Sequence, residues 1–307
     1  MDTDLVILGG GPAGLTAGMY AARARIPLII LERGQTGGQM AATATVDNYP
    51  GFTDPIFGAE LAERMETQAR KFGVTIQYGD VQSIERKTQG FTVSLESADP
   101  LQCQAIIIAT GASPVKLGIP GELDLAGKGV SYCAVCDGPF FQGFDVAVVG
   151  GGDSAVEEAV YLTRFAGTVH IIHRRDDLRA CKEIQEKALA EPRIVVHWST
   201  IPVEIIGDGE VKGIRIRSVK TGQEETLSVG GVFFYVGLRP NSEPFRHLVE
   251  TDSAGFVLTD QDMNCSNPGL FAAGDIRVKT LRQISTAIGD GAIAAYSAQH
   301  YLEKLPR

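Results

Sequence analysis

The chain has 307 residues, enough for two domains of ordinary size, and its 44% hydrophobic and 21% charged residues are typical of a globular protein. Its net charge of −9 repels phosphate backbones and anionic lipids, so neither nucleic acid nor a membrane surface is expected as a partner. The acidic N-terminus shows no secretory signal, no apolar run approaches the length of a membrane span, and three of the five cysteines are single. These features predict a cytoplasmic protein.

A glycine-rich turn follows the first apolar run, residues 4–8, which predicts a buried parallel strand. Residues 9–14 match G-x-G-x-x-G, and a predicted helix over 13–24 leads to a second strand that is closed by Glu32. Such glycines permit a tight turn, close approach of a pyrophosphate and close packing of helix on strand. An acid at Glu32 binds ribose hydroxyls and repels a 2′-phosphate, so the pattern predicts FAD or NAD. The alternative, a glycine turn of some other α/β protein, is disfavoured because strand, helix and acid are all in register.

The next part of the chain alternates between irregular and regular patterns. Residues 37–51 have little periodicity and predict a loop, of the kind that covers a cofactor. Residues 58–72 predict an amphipathic helix, residues 74–96 predict β-structure, and residues 105–111 predict a buried strand that ends in a glycine turn.

A second nucleotide-binding pattern begins after the strand predicted over 145–149. Residues 150–155 read G-x-G-x-x-A, with a helix over 154–166 and a strand over 168–172. The chain therefore repeats one nucleotide-binding unit and is expected to bind two nucleotides. Here the second strand is followed by His173, Arg174, Arg175 and then Arg179. Arginines at this position suit the 2′-phosphate of NADP, although a solvated basic face is the alternative.

Cys133 and Cys136 form a C-x-x-C pair that is followed at once by Asp137. Two intervening residues allow the sulfurs to close a small ring, and the thiolate is the attacking species in disulfide exchange. Asp137 is the nearest candidate acid–base. Because nicotinamide transfers a hydride and thiols react by sulfur attack, a flavin is needed between them, which assigns FAD to the first turn and NADPH to the second.

Two other interpretations of this pair are weaker. A zinc half-site needs two more ligands, but the other cysteines stand alone, and His170 and His173 are expected on opposite faces of a strand, so no metal is predicted. Two buried core cysteines are possible, but Asp137 and Gly138 indicate an exposed turn. The redox interpretation is the one favoured.

The order of these patterns predicts an α/β fold with two Rossmann-like nucleotide-binding domains of the FAD/NAD(P)-binding three-layer type, the second inserted into the first. Residues 1–113 and 243–307 are expected to form the FAD domain, and residues 114–242 the NADPH domain with the C-x-x-C pair. The last part of the chain contains a strand that ends in Gly274 and Asp275, and a helix over about 284–303.

Together these motifs closely resemble the low-molecular-weight, bacterial-type NADPH-dependent thioredoxin reductases, and the resemblance runs essentially end to end. It is carried by the first glycine turn, 37–39, 109–111, the C-x-x-C-D segment, 150–155, the arginine cluster, 274–275 and 282–291. The resemblance implies a homodimer, oxidised thioredoxin as the protein substrate, Cys136 as the sulfur facing the flavin, Cys133 as the sulfur that attacks thioredoxin, and Asp137 as the acid–base. It also implies that the inserted domain rotates on crossovers near 112–118 and 240–246.

The resemblance further implies cofactor contacts by position. For FAD they fall on Gly9, Gly11, Pro12, Ala13, Gly14, Glu32, Arg33, Gly38, Gln39, Asn48, Val81, Thr110, Gly111, Gly274, Asp275, Arg282, Gln283 and Ile284. For NADPH they fall on Gly152, Asp153, Ser154, Ala155, His173, Arg174, Arg175 and Arg179.

Two alternatives stay open at this point. A protein of the same scaffold can use another donor, such as ferredoxin, but such relatives have generally altered the second nucleotide site, whose glycines and arginines are kept here. A non-catalytic flavin-binding partner or redox sensor is a different class of function, and the presence of Cys133, Cys136 and Asp137 argues against it.

Overall fold

The computed structural model describes residues 3–43, 45–46 and 48–305, without the side chains of Thr45, Val135 and Cys136. The chain divides into two compact units. Met1–Ser113 and Arg239–Arg307 form the first, which we call the discontinuous unit, and Pro114–Leu238 form the second, which we call the inserted unit.

The discontinuous unit is built from the following elements. In chain order they are β1 (Leu5–Leu8), α1 (Pro12–Arg23), β2 (Leu28–Glu32), α2 (Gly38–Ala41), β3 (Thr45–Val46), β4 (Ile56–Phe57), α3 (Gly58–Lys71), β5 (Thr75–Tyr78), β6 (Val81–Arg86), β7 (Phe91–Leu95), β8 (Leu101–Cys103), β9 (Ala105–Ile108) and β10 (Ala112–Pro114).

The inserted unit continues with β11 (Val130–Ser131), α4 (Ala134–Asp137), a 3-10 turn (Gly138–Phe141), β12 (Val146–Gly150), α5 (Asp153–Leu162), β13 (Val169–Ile172), α6 (Lys182–Ala190), β14 (Ile194–His197), β15 (Thr200–Gly207), β16 (Val211–Ser218), β17 (Glu224–Leu227) and β18 (Gly231–Tyr235). The short strand β19 (Leu238–Pro240) begins at the last residue of this unit and ends in the discontinuous unit. The chain then returns to the discontinuous unit with 3-10 turns at Glu243–Leu248 and Gly274–Ile276, β20 (Leu270–Ala272) and α7 (Ile284–Glu303).

A parallel sheet in the order β20-β9-β1-β2-β5 forms the middle of the discontinuous unit. All four residues of β1 are buried, because its alternate side chains enter two different cores. Leu5 and Ile7 pack with α1 and α7, whereas Val6 and Leu8 pack with the antiparallel sheet of β6, β7 and β8. The unit therefore has three layers, of helices, parallel sheet and antiparallel sheet.

The inserted unit repeats this layering on a parallel sheet in the order β11-β18-β12-β13-β14. Val146 and Val148 of β12 pack with α5, and Ala147 and Val149 pack with the antiparallel sheet of β15, β16 and β17. The predicted fold class is confirmed, since the apolar runs bounded by glycine do form the central strands of two three-layer α/β units.

The prediction of a loop over residues 37–51 was wrong in part. Residues Gly38–Ala41 form the short helix α2, and Thr45–Val46 pair antiparallel with Ile56–Phe57. The helix begins there because Gly37 adopts a left-handed conformation, with φ of 99°, and its N–H donates to the Gly10 carbonyl at 2.8 Å. The prediction failed because four residues are too few to show a helical period.

Candidate active site

The first glycine turn lies between β1 and α1 in the discontinuous unit. A side-chain carbon at Gly14 would overlap the carbonyl oxygen of Gly9, so the first turn of α1 lies directly against the end of β1. A side-chain carbon at Gly11 would meet nothing within 4 Å. Gly11 is also the residue that caps α1, with no side-chain cap. The turn thus leaves open space at a helix N-terminus, the arrangement that binds a pyrophosphate.

Glu32 fixes the backbone around this turn. One carboxylate oxygen accepts the N–H of Gly10 at 2.7 Å, and the other accepts the N–H of Gly34 at 2.8 Å. A carboxylate has about four acceptor positions, so these two bonds leave capacity for ribose hydroxyls. Glu32 is therefore placed at the turn, and its predicted contact with a ribose remains a prediction.

The helix α2 brings a second predicted segment to the same turn. A side-chain carbon at Gly38 would lie 3.6 Å from the Cα atom of Gly11, so the two glycines are neighbours although 27 residues separate them. The side-chain amide of Gln39 donates to the carbonyl of Ala112. Gln39 thereby ties α2 to the residues that follow the glycine turn after β9.

Asp275, in the 3-10 turn after β20, contains an unpartnered buried oxygen. Its Oδ1 atom is buried and has no hydrogen-bond partner within the described residues. Burial raises the pKa of this carboxyl, while the positive charges of Lys279 and Arg282 act to lower it. An unpaired buried acceptor of this kind needs a donor, and a hydroxyl-bearing ligand would supply one.

Three residues that were not predicted as site residues hold the Asp275 turn in place. Asp290 of α7 accepts the backbone N–H of Gly274 at 3.0 Å, the guanidinium of Arg277 at 2.9 Å and the ammonium of Lys279 at 2.7 Å. The side chains of Arg277, Lys279 and Asp290 are all at least 87% buried. Asp290 lies in the segment 282–291 that carries the family resemblance, but no pattern in the sequence marks Arg277 and Lys279 as its partners.

The other residues predicted to contact FAD are distributed around these features. The amide of Asn48 donates to the side-chain oxygen of Gln283 at 3.1 Å, which joins the segment before β4 to the start of α7. Thr110 and Asn241 exchange hydrogen bonds of 2.9 Å, both through side-chain donors. Arg282 lies 4.0 Å from the centre of the Phe256 ring. The remaining positions are an exposed Arg33, half-buried Val81, Gly111 and Ile284, and Pro12 and Ala13 in the first turn of α1.

The second glycine turn, in the inserted unit, also has open space at the start of a helix. A side-chain carbon at Gly152, which caps α5, would meet nothing within 4 Å. A side-chain carbon at Gly151 would overlap the ring of His173, which is only 4% exposed. The Nε2 atom of that ring lies 2.9 Å from the carbonyl of Asp177. His173 therefore packs beneath the turn, and burial lowers its pKa and favours the neutral imidazole.

The arginines that follow are free to meet a ligand. Arg174, Arg175 and Arg179 are exposed, and none of them forms a salt bridge within the described part of the chain. The backbone N–H of Arg179 donates to the carbonyl of Gly151 at 2.7 Å, which places this arginine beside the glycine turn. Asp153 instead accepts the backbone N–H of Cys181 at 2.7 Å, while Ser154 is exposed and Ala155 is buried.

The redox segment also lies in the inserted unit, and Cys133 is disulfide-bonded. The prediction of an exposed turn here was wrong. Residues Ala134–Asp137 form a short helix, Ala134 and Gly138 are buried, and Cys133 and Asp137 are half-buried. The segment is held inward because the small side chain of Ala134 enters the core around α5. The side chain of Cys136 lies outside the described residues.

Two side-chain oxygens bind the backbone next to Cys133. Ser131 Oγ accepts the N–H of Cys133 at 3.0 Å, and the hydroxyl of Tyr235 accepts the N–H of Ala134 at 2.8 Å. Tyr235 was not predicted as a site residue, because it is 101 residues away in sequence and belongs to no motif. Glu158 of α5 lies near the same tyrosine, and burial raises the pKa of Glu158 to about 7.

The remaining described cysteines are free thiols. Burial raises the pKa of both Cys103 and Cys265 to about 12, so these two are poor nucleophiles, whereas Cys181 is exposed. The residues that the structure describes contain no cluster of three or more His, Cys, Asp or Glu side chains able to hold a metal ion. None of the described helices has the length and apolar character of a membrane-spanning segment.

Comparison with known proteins agrees with this geometry. Residues 3–291 match the pyridine nucleotide-disulphide oxidoreductase family. A thioredoxin reductase of Listeria monocytogenes is 48% identical over 303 residues, which cover 98% of this chain and 94% of that protein. The crystal structure of Lactococcus lactis thioredoxin reductase superimposes with a TM-score of 0.95 at 48% identity, and covers 99% of this chain and 100% of that one.

The chain belongs to the pyridine nucleotide-disulphide oxidoreductase family. Within it, the chain is a flavoprotein disulfide oxidoreductase of the thioredoxin reductase group. A ferredoxin-flavin thioredoxin reductase from Clostridium acetobutylicum is a more distant relative, with 29% identity and a TM-score of 0.55. The predicted cofactors, FAD and NADPH, are those that this family uses.

The residues present fit the two cofactors of this oxidoreductase family. The discontinuous unit offers the open space at Gly11 and the unpartnered oxygen of Asp275, which suit a pyrophosphate and a hydroxyl-bearing chain. The inserted unit offers the open space at Gly152 and three exposed arginines, which suit a pyrophosphate and a further phosphate group.

Proposed function

We propose that this protein passes electrons from NADPH, through FAD and the Cys133–Cys136 pair, to oxidised thioredoxin. The observation that carries the proposal is the disulfide at Cys133, which lies in the same unit as an open glycine turn followed by exposed arginines. A dithiol and a nucleotide site in one unit suit a reductase that draws on a nicotinamide. The discontinuous unit supplies the second nucleotide site.

FAD is assigned to the discontinuous unit. Gly11 leaves room for the pyrophosphate, Glu32 lies where ribose hydroxyls bind, and the unpaired Oδ1 of Asp275 accepts a hydroxyl. Asn48 and Gln283, which bond to each other, would contact the cofactor from two separate segments. FAD held by these residues would supply the two-electron chemistry that links a hydride donor to a disulfide.

NADPH is assigned to the inserted unit. Arg174, Arg175 and Arg179 are offered to the 2′-phosphate, and His173 acts by packing beneath the glycine turn that receives the pyrophosphate. These unpaired arginines also favour NADPH over ferredoxin as the donor, because a protein donor has no need of a 2′-phosphate site.

The two sulfurs have separate roles in this scheme. Cys136 receives the electrons and Cys133 is left as the thiolate. That thiolate attacks one sulfur of the thioredoxin disulfide, which breaks the disulfide and forms a bond between the two proteins. Cys136 then attacks Cys133, restoring the internal disulfide, and thioredoxin leaves as a dithiol. Asp137, half-buried in α4, supplies and removes the protons.

We also propose that the protein is a homodimer in the cytoplasm. The dimer follows from the likeness to bacterial-type thioredoxin reductases. The three free thiols at Cys103, Cys181 and Cys265 support a reducing compartment, where single cysteines persist without oxidation.

The test is a visible spectrum of the purified protein before and after NADPH, with oxidised thioredoxin added last. We expect a yellow protein that NADPH bleaches within the mixing time and that thioredoxin recolours. The variant Cys133→Ser should still bleach but lose thioredoxin reduction by at least about a thousandfold, since the attacking sulfur is gone. The control Cys181→Ser removes an exposed free thiol and should retain activity. A colourless protein, or full activity of Cys133→Ser, contradicts the proposal.

A further inference from the structure

Tyr235 joins the second glycine turn to the redox segment. It is the last residue of β18, where its backbone pairs with Gly150, the first glycine of the turn. Its side chain extends to α4, where the hydroxyl accepts the N–H of Ala134 at 2.8 Å. All of these residues belong to the inserted unit.

The amide that Tyr235 binds is that of the peptide bond directly after Cys133. Ala134 is fully buried, so water does not satisfy this N–H group. The N–H of Cys133 itself is bound by Ser131 Oγ at 3.0 Å, and the same hydroxyl lies 3.2 Å from the Cys133 carbonyl. The N–H groups of Cys133 and of the residue after it are thus both bound to side-chain oxygens.

The Tyr235 hydroxyl stays neutral while it holds this amide. Burial raises its pKa, and the negative charges of Glu158 and Asp137 raise it further. The hydroxyl therefore keeps its proton over the pH range in which the thiols are used.

These two bonds affect the balance between disulfide and dithiol. A disulfide carries no charge, whereas the reduced pair contains a thiolate, which any nearby free N–H donor stabilises. An N–H group that is already bound to another oxygen stabilises the thiolate less. The reduced form is then less stable, and the pair becomes a stronger reductant.

We propose that Tyr235 is a positioning residue that sets the reduction potential of the Cys133 disulfide, by engaging the amide of Ala134. The inference rests on the proposed function, since it takes the Cys133–Cys136 pair as the redox couple. It assigns to the hydroxyl of Tyr235 a part in how strongly this couple donates electrons.

The experiment is a redox titration of the FAD-loaded protein with mixtures of reduced and oxidised dithiothreitol. Each reduced dithiothreitol supplies two electrons and two protons, opens the protein disulfide and closes to its own cyclic disulfide. The thiols are trapped by alkylation, and mass spectrometry of the peptide that contains Cys133 gives the reduced fraction. The variant is Tyr235→Phe, which removes one oxygen atom. Its control is Tyr161→Phe, which removes a hydroxyl of α5 that has no hydrogen bond to the described atoms of the redox segment.

We expect Tyr235→Phe to shift the equilibrium constant about tenfold toward the dithiol, which corresponds to a potential about 30 mV higher. Ser131→Ala, which releases the N–H of Cys133, should shift it in the same direction. Tyr161→Phe should leave it unchanged. Thermal unfolding of each variant checks that the fold is kept.

An unchanged or lower potential in folded Tyr235→Phe overturns the inference, whatever the result for Ser131→Ala. That result is distinct from failure of the proposed function, because dithiothreitol replaces NADPH in this titration. If NADPH does not reduce the wild-type disulfide, the proposed function fails. If NADPH does reduce it and Tyr235→Phe leaves the potential unmoved, only the role of Tyr235 fails.

Discussion

The two glycine turns of this protein have the same backbone arrangement, a glycine with open space around it at the start of a helix. They differ in the residue that follows the second strand and contacts the turn. In the discontinuous unit, the acid after the second strand, Glu32, accepts the N–H of Gly10. In the inserted unit, the corresponding place beneath Gly151 is filled by the ring of His173, and two arginines follow. In both turns the glycine that caps the helix leaves open space, which would suit a pyrophosphate. We expect the residues after the second strand to determine which charge faces the ribose.

The largest expected effect comes from exchanging the last residue of each glycine motif, which is Gly14 in the first and Ala155 in the second. A methyl group at Gly14 overlaps the carbonyl of Gly9, so Gly14→Ala should destabilise the discontinuous unit by about 3 kcal/mol and abolish FAD retention. The reverse change in the inserted unit, Ala155→Gly, should cost only about 1 kcal/mol, the helix preference of alanine. Thermal unfolding and the ratio of flavin to protein absorbance measure both. Equal losses of stability in the two variants would contradict this prediction, because they would show that helix and strand pack equally closely at both turns.

The second prediction concerns the charge that meets the ribose. In the double variant Arg174→Ala with Arg175→Ala, we expect the preference for NADPH over NADH to fall about a hundredfold, because two charge-assisted bonds are lost. The ratio of kcat/KM for the two nucleotides measures the change. Arg164→Ala, which removes an exposed arginine that stacks on Tyr161, is the matched control. An unchanged ratio in the double variant would mean that these arginines do not read the 2′-phosphate.

A smaller effect is expected at Asp275, whose Oδ1 atom is the only buried carboxylate oxygen without a partner among the described residues. Asp275→Ala removes an unpaired buried oxygen, so FAD affinity should fall about tenfold, while the Tm of the apoprotein should not fall. Asp290→Ala is the contrasting variant, because it leaves the buried cations Arg277 and Lys279 unpaired and should lower the Tm of the apoprotein. Titration with FAD and thermal unfolding measure the two effects. A lower apoprotein Tm for Asp275→Ala would show that this carboxyl serves the fold.

The smallest effect is a dependence of stability on pH. Burial lowers the pKa of His173, as it does for His170 and His197, and all three lie in the inserted unit. Below about pH 6.5 the unfolded chain therefore binds more protons than the folded unit, and stability falls as the pH falls toward the lowered folded values. The slope is at most about 1.4 kcal/mol per pH unit for each histidine.

Hydrogen exchange measured between pH 7 and 5 tests this expectation, since it reports each unit separately. Protection in β12 and β13 should decrease toward pH 5, and His173→Gln should reduce that decrease. A loss of protection confined to β1 and β2 would contradict the expectation that the histidines of the inserted unit cause the loss of stability at low pH.

The parts of the molecule that sequence predicted best are those where local patterns and long-range packing agree. The final helix was expected over about 284–303 and is observed at Ile284–Glu303, because its apolar positions repeat with the helical period and a capping box at Gln283 starts it. The central strands β1 and β12 are apolar runs bounded by glycine, which periodicity detects.

What the sequence could not predict are contacts between side chains that are distant along the chain. The hydroxyl of Tyr235 reaches Ala134 across 101 residues, and no periodic pattern or motif marks such a pair. Glu122 is a further example, since this fully buried acid accepts the hydroxyl of Tyr132 at 2.8 Å next to the redox segment. These residues were missed because tertiary packing, not local sequence, assigns them their partners.

The division of the discontinuous unit has a consequence for synthesis on the ribosome. Its central sheet needs β20, which pairs with β9, and its helical layer needs α7, which packs with α1. Both are translated after the whole inserted unit, which is one continuous segment. The inserted unit can therefore fold before the discontinuous unit is complete, and β1 and β9 leave the ribosome long before β20 and α7 exist to cover them. We expect these early strands to stay exposed until synthesis ends.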